Sequence, residues 1–113
     1  MEKLQVFQVL ETNKILYKIF EQKTSLPISV GLKIYRIMKI FDEVEEYVFE
    51  TMDLAYPNFN WMSMTEDEKM FYQKLISEQI ELDYEKIPTE LFEKNDNLML
   101  TVEDIGALSI ILC

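Results

Sequence analysis

A chain of 113 residues, 49% hydrophobic and 28% charged with 2 Gly and 3 Pro, fits one compact domain over 1–113 and excludes both a two-domain enzyme and a disordered tail. It has no His, 2 Gly and a single Cys, so histidine zinc sites, Ser-His-Asp or Cys-His catalysis and glycine-rich phosphate cradles lack their parts. The formal net charge of -10 opposes the phosphate backbone, so direct DNA or RNA binding is not expected.

The charge is unevenly placed. Through Ile40 there are seven Lys/Arg against three Glu, whereas Phe41 to Cys113 holds four Lys against 18 Asp/Glu. The lone Cys113 cannot close an internal disulfide, which favours a reducing compartment. There is no secretion signal, and no apolar run approaches the roughly 18 residues that span a bilayer. Neither secretion nor membrane insertion is expected.

In chain order, Leu4-Gln5-Val6-Phe7-Gln8-Val9-Leu10 mixes β-branched and aromatic residues, compatible with a short strand or with the lead-in to a helix. From Glu11, Ile15, Leu16, Ile19 and Phe20 recur at helical spacing and predict a helix reaching about Gln22. Thr24-Ser25-Leu26-Pro27 ends it, because proline lacks a backbone donor and disfavours a helical residue before it.

The strongest pattern follows. Val30, Ile34, Ile37, Phe41, Val44 and Val48 are spaced 4, 3, 4, 3 and 4 apart, which keeps one stripe facing a partner and predicts a long helix from about Ser29 to Ala55. Tyr35, Met38, Tyr47, Phe49 and Met52 widen its apolar surface. Both an intramolecular helical hairpin and an intermolecular coiled coil satisfy this stripe. Asp42, Glu43, Glu45, Glu46, Glu50 and Asp53 crowd the second half of the helix with no intervening base.

Tyr56-Pro57-Asn58-Phe59-Asn60-Trp61 breaks the helix, and a loop with three aromatics must cover the core or meet a partner. Thr65 with Glu68 forms a capping box, with Glu66 and Asp67 at the positive end of the next helix, whose inner face is Phe71, Tyr72, Leu75 and Ile76. A short connection makes this helix an antiparallel neighbour of the long one. Ile80, Leu82 and Tyr84 alternate with Glu81, Asp83 and Glu85 as in a strand with one wet face. Pro88 opens a helical turn through Phe92, Asn95-Asp96-Asn97 has turn composition, and Leu98-Met99-Leu100 suits a short strand. Thr101 with Asp104 caps a last helix, Val102 to about Leu112, which reads as a closing element buried through Ile105, Leu108, Ile111 and Leu112, the alternative being an oligomer contact.

These elements predict an α+β, mainly helical fold: a long-helix hairpin with flanking helices and a small β-sheet. No cofactor or metal is expected, because neighbouring carboxylates on a helix diverge and Asn95 to Asp104 lacks the glycine and ligand order of a calcium loop. Carboxylate pairs such as Glu46 and Glu50 meet only part of what glycoside hydrolysis needs, so the expected function is binding and not catalysis. The candidate partner-binding residues are Tyr56, Phe59 and Trp61 in the loop and Glu45, Glu46, Glu50 and Asp53 on the long helix.

Leu26-Pro27-Ile28-Ser29-Val30, Lys33-Ile34-Tyr35-Arg36-Ile37 leading into Phe41-Asp42-Glu43-Val44-Glu45-Glu46, Phe71 to Glu78, Ile80 to Tyr84 and Leu100 to Leu108 follow one another in an order that resembles a loosely defined group of small helical proteins of tailed bacteriophages. The segment Tyr56 to Met64 departs from the polar loop of that group. The resemblance implies a phage-encoded virion or assembly component, in the virion or the cytoplasm of an infected bacterial cell, that contacts itself or another virion protein. The alternative is an acidic inhibitor that imitates nucleic acid on a basic host protein. Under assembly, replacing Trp61 or Phe59 weakens the contact more than charge reversal at Glu45 and Glu46; under inhibition the ranking inverts.

Overall fold

A computed structural model describes residues 1–22, 26–93 and 99–113. Chain order is β1 (Glu2–Gln5), α1 (Val6–Glu21), α2 (Ile28–Ala55), α3 (Glu66–Ile76), β2 (Gln79–Leu82), α4 (Thr89–Glu93), α5 (Val102–Ala107) and a 3₁₀ turn (Leu108–Ile111). The fold is mainly helical α+β with a long helix, flanking helices and a two-stranded antiparallel sheet. The 28 residues of α2, at about 1.5 Å rise each, account for most of the 45 Å long axis.

The amino-terminal segment is both things its composition allowed. Residues 2–5 pair with β2 in the register Glu2↔Leu82, Lys3↔Glu81, Leu4↔Ile80 and Gln5↔Gln79. The chain then turns directly into α1, whose first N–H groups are satisfied from nearby and from afar. The Gln5 N–H donates to Gln8 Oε1 at 2.9 Å, and the Val6 N–H donates to the Glu78 carbonyl at 2.9 Å. α1 thus begins five residues before the Glu11 start that the sequence pattern predicts, and its buried face is Val6, Val9, Thr12, Asn13, Leu16 and Ile19. Phe20 lies on the same face, four residues after Leu16, but in the last turn of the helix it is exposed. The helix ends at Glu21; Thr24 and Ser25 lie outside the described residues.

α2 follows Pro27, whose carbonyl accepts the Gly31 N–H at 3.0 Å. Val30, Ile34, Ile37, Phe41, Val44 and Val48 are all buried within their own chain, joined by Met38 and Met52, so the stripe is satisfied intramolecularly. Its most extensive neighbour is α1, while α3 touches both helices. Tyr35, Tyr47 and Phe49 do not join the core and stay about half exposed. The helix stops at Ala55 because Pro57 offers no donor, and Asn58 takes a positive φ of 66° in the turn, a conformation that asparagine tolerates better than most side chains.

Both capping boxes form. The Glu68 N–H donates to Thr65 Oγ1 and the Thr65 N–H to Glu68 Oε1, each at 3.2 Å; Asp104 and Thr101 repeat the exchange at 3.1 Å. β2 ends at Leu82, short of Tyr84, where its pairing with Glu2 closes the ladder. Tyr84 instead turns inward, its ring edge-on to Phe41 at 5.4 Å and its hydroxyl donating to the Ile110 carbonyl at 2.7 Å.

Met99 and Leu100 belong to neither helix nor strand, and Asn95-Asp96-Asn97 and Leu98 lie outside the described residues. The last helix is shorter than its apolar pattern suggests. After α5 and the 3₁₀ turn the chain extends so that Leu112 pairs in parallel with Ile87, with Ile87 N–H on the Ile111 carbonyl at 2.8 Å and Cys113 N–H on the Ile87 carbonyl at 3.1 Å. Leu108 and Ile111 are buried with Ile87, so this apolar end closes the core of its own chain, whereas Ile105, expected inside, stays about half exposed because the chain leaves the helix at Ala107.

Candidate functional site

A groove of about 1600 Å³ runs between α1 and the acidic half of α2, closed at one end by α5 and at the other by the aromatic loop and α3. Leu10, Ile15 and Val48 give it apolar flooring, and eight carboxylates against two ammonium groups line it. One of those ammonium groups, on Lys18, is already held by Asp104.

The contact between α1 and α2 beneath the groove is polar and specific. Asn13 is fully buried, and its Nδ2 donates to Asp42 Oδ1 at 2.9 Å and to Glu45 Oε1 at 3.0 Å. The Tyr17 hydroxyl donates to the same Asp42 carboxylate at 2.8–2.9 Å. This bond raises the Tyr17 phenol above its ordinary value, with burial and the charges of Asp42 and Glu45 adding to the effect. The amide orientation of Asn13 is compelled, since the flipped form would set its carbonyl oxygen against two carboxylates. The consequence is a buried Asn13 Oδ1 with no hydrogen-bond partner. Such an orphan costs about 1–3 kcal/mol, tolerable here because the opposite end of the amide holds two carboxylates that would otherwise repel each other across one turn.

At the other end the loop aromatics pack on those of α2 and α3, edge-to-face at Trp61 and tilted between Phe49 and Phe59. Phe59 lies 5.9 Å from Phe49 and 4.7 Å from Trp61, and Trp61 lies 5.3 Å from Tyr72, centroid to centroid. Tyr56 packs separately, 5.5 Å from Phe71. These contacts fasten the loop to α2 and α3 while Trp61 keeps 46% of its surface open on the groove. Burial raises the Tyr72 phenol above its usual value.

At the α5 end, the Asp104 carboxylate accepts hydrogen bonds from Lys18 and from the Thr101 N–H. The bond from Lys18 is the main reason its carboxyl sits below the usual carboxylate range, with the Thr101 backbone next. Thr12 ties the same end to α1 by donating to the Ala107 carbonyl at 2.6 Å.

Of the seven residues singled out from sequence, the fold brings Glu45, Glu46, Glu50 and Trp61 together on this groove. Asp53 is exposed in the last turn of α2 beyond it, and Tyr56 and Phe59 are half-buried supports of the loop. Asn13, Tyr17 and Asp42 were not picked out as a set. The available signal was a polar Asn13 on the apolar stripe of α1, between Val9 and Leu16. Among the described residues no group of three or more Asp, Glu, Cys or His is arranged to hold a metal ion, and no helix is long and apolar enough to cross a membrane. No protein-family model, curated protein or solved structure matches the chain.

Proposed function

We propose that the protein acts by binding another protein, without catalysis, and that the groove receives a cationic, partly apolar segment of that partner. The observation that carries this reading is the meeting of Glu45, Glu46 and Glu50 with Trp61, Tyr72 and Phe49 on one concave surface. Carboxylates alone suit any cation, and aromatic faces alone suit any apolar group. Their combination suits side chains such as arginine, whose guanidinium bonds a carboxylate and lies over an indole ring. The proposed setting is that of a phage virion or assembly component, which rests on the sequence resemblance.

A second reading, imitation of nucleic acid toward a basic protein, is favoured by one feature. Glu43 and Asp53 are exposed on α2 outside the groove, so part of its negative potential faces open solvent. The two readings part at Trp61.

The single tryptophan is a built-in reporter. Titration with a synthetic peptide carrying Arg and Leu at helical spacing is expected to shift its emission saturably, and an otherwise identical Glu/Leu peptide is expected not to. Both Trp61→Ala, followed by calorimetry, and the pair Glu45→Lys with Glu46→Lys should weaken binding. A response equal for both peptides refutes the groove reading; binding that fails on charge reversal but ignores Trp61→Ala supports imitation of nucleic acid instead.

A further inference from the structure

The face of α2 opposite its core stripe is exposed from end to end. It carries Ile28, Leu32 and Tyr35 at 82%, 49% and 54% exposure, then Arg36 and Lys39, then Glu43, Glu46 and Glu50, and finally Leu54 at 84%. Apart from the adjacent Tyr35 and Arg36, successive members are three or four residues apart, so they form one stripe. Among the described residues none of these charged groups has an ion-pair partner; the α2 cation that does pair inside the chain, Lys33 with Glu85, lies off this stripe.

The charge sign changes between Lys39 and Glu43, at the middle of a helix that runs from Ile28 to Ala55. The arrangement also runs against the helix dipole, which favours acids in the first turn and bases in the last. α2 has neither, and Asp53 sits in its last turn.

We propose that α2 pairs antiparallel with α2 of a second copy of this chain across a two-fold axis at its midpoint. The stripe shares Glu46 and Glu50 with the edge of the groove, whereas Arg36, Lys39 and Glu43 lie outside it. Full overlap of the two helices sets Lys39 opposite Glu43 and Arg36 opposite Glu46, with Ile28 against Leu54 at both ends. Every contact occurs twice, as an isologous interface requires. A parallel pairing would set acid on acid and base on base. Antiparallel pairing also brings the basic half of one helix beside the acidic end of the other, and relieves the mismatch with both dipoles. The net charge of -10 per chain opposes association at long range, but at physiological salt charges beyond about 8 Å are largely screened while facing pairs are not.

The test is a charge swap at two exposed positions outside the groove. Sedimentation at physiological salt should show a concentration-dependent dimer for the natural chain. Lys39→Glu alone places acid against Glu43, and Glu43→Lys alone places base against Lys39; each should weaken the dimer by about tenfold or more. Mixed in equal amounts the two variants become complementary at both contacts, and a heterodimer should form. Leu54→Asp should weaken the dimer with unchanged circular dichroism and thermal midpoint. A natural chain that stays monomeric at its highest soluble concentration overturns the proposal. So does a dimer indifferent to either single swap, or a mixture that fails to reassociate.

Discussion

Replacing Asn13 with aspartate keeps the shape of the side chain but turns the donor that faces Asp42 and Glu45, at 2.9 and 3.0 Å, into an acceptor. Two hydrogen bonds to charged groups are lost, and a third carboxylate enters a buried site beside two others. At an effective dielectric of about 20, each like-charge contact near 4 Å would cost about 4 kcal/mol. A cheaper route exists. The introduced carboxyl can remain protonated, which at pH 7 costs about three pH units at about 1.4 kcal/mol each, or about 4 kcal/mol, and leaves one O–H able to donate. Asn13→Asp is therefore expected to lose about 4 kcal/mol at neutral pH. The sign with pH follows from a folded-state pKa raised above the unfolded value: the penalty is absent below the unfolded pKa near 4 and grows by about 1.4 kcal/mol per unit as pH rises above it. Asn13→Ala provides the contrast, with a loss of about 2 kcal/mol that does not vary in this range, since it forfeits the bonds but also removes the orphan Oδ1. Urea unfolding followed by circular dichroism from about pH 4.5 to 7 measures both. An Asn13→Asp variant within about 1 kcal/mol of the natural chain at pH 7, or a gap that does not narrow on acidification, would refute the network.

Tyr84 carries a second pH signature. Burial first, and the Glu2 charge next, push its phenol up to about 12. Its stabilising contribution is thus complete below the unfolded phenol value near 10 and lost as pH rises from there through 12. Tyr84→Phe should cost about 1 kcal/mol at neutral pH through the lost bond to the Ile110 carbonyl and flatten the alkaline limb of the stability curve, read by thermal melts from pH 8 to 11. Asp104 behaves oppositely: its lowered pKa contributes stability above the unfolded value near 4 that disappears as pH falls through the folded one. Lys18→Met should return the Asp104 carboxyl toward its ordinary range in a carbon-detected titration; an unmoved midpoint would show that Lys18 is not the cause. Thr65→Ala removes the side-chain acceptor for the Glu68 N–H and should lower stability by about 1 kcal/mol in urea unfolding.

Locally encoded features were legible before any coordinates. The stripe from Val30 to Val48 placed α2 within one residue at its start and identified its buried face, because 3.6-residue periodicity and burial are the same statement about a helix. Thr65 with Glu68 and Thr101 with Asp104 were readable because both partners of each box lie within one turn. Phe20 shows where local spacing stops deciding burial. It shares the face of Val9, Asn13 and Leu16, yet in the last turn of α1 it is exposed: helical spacing names the face, and only the packing of neighbouring elements decides how far along the helix that face is covered.

By itself the sequence determined the helical periods, the caps, the acidic excess and its confinement to the later part of the chain, all of which depend on residues within a few positions of each other. Only the tertiary structure decided where the amino-terminal strand gives way to α1, because that boundary depends on β2 and on the Glu78 carbonyl more than seventy residues away. It alone aligned Asn13 with Asp42 and Glu45, drew Ile87 to Leu112, and set Trp61 at the rim of the acidic groove. Each of those contacts joins groups distant in the chain, and its geometry depends on how two elements cross, which no local pattern of side chains records.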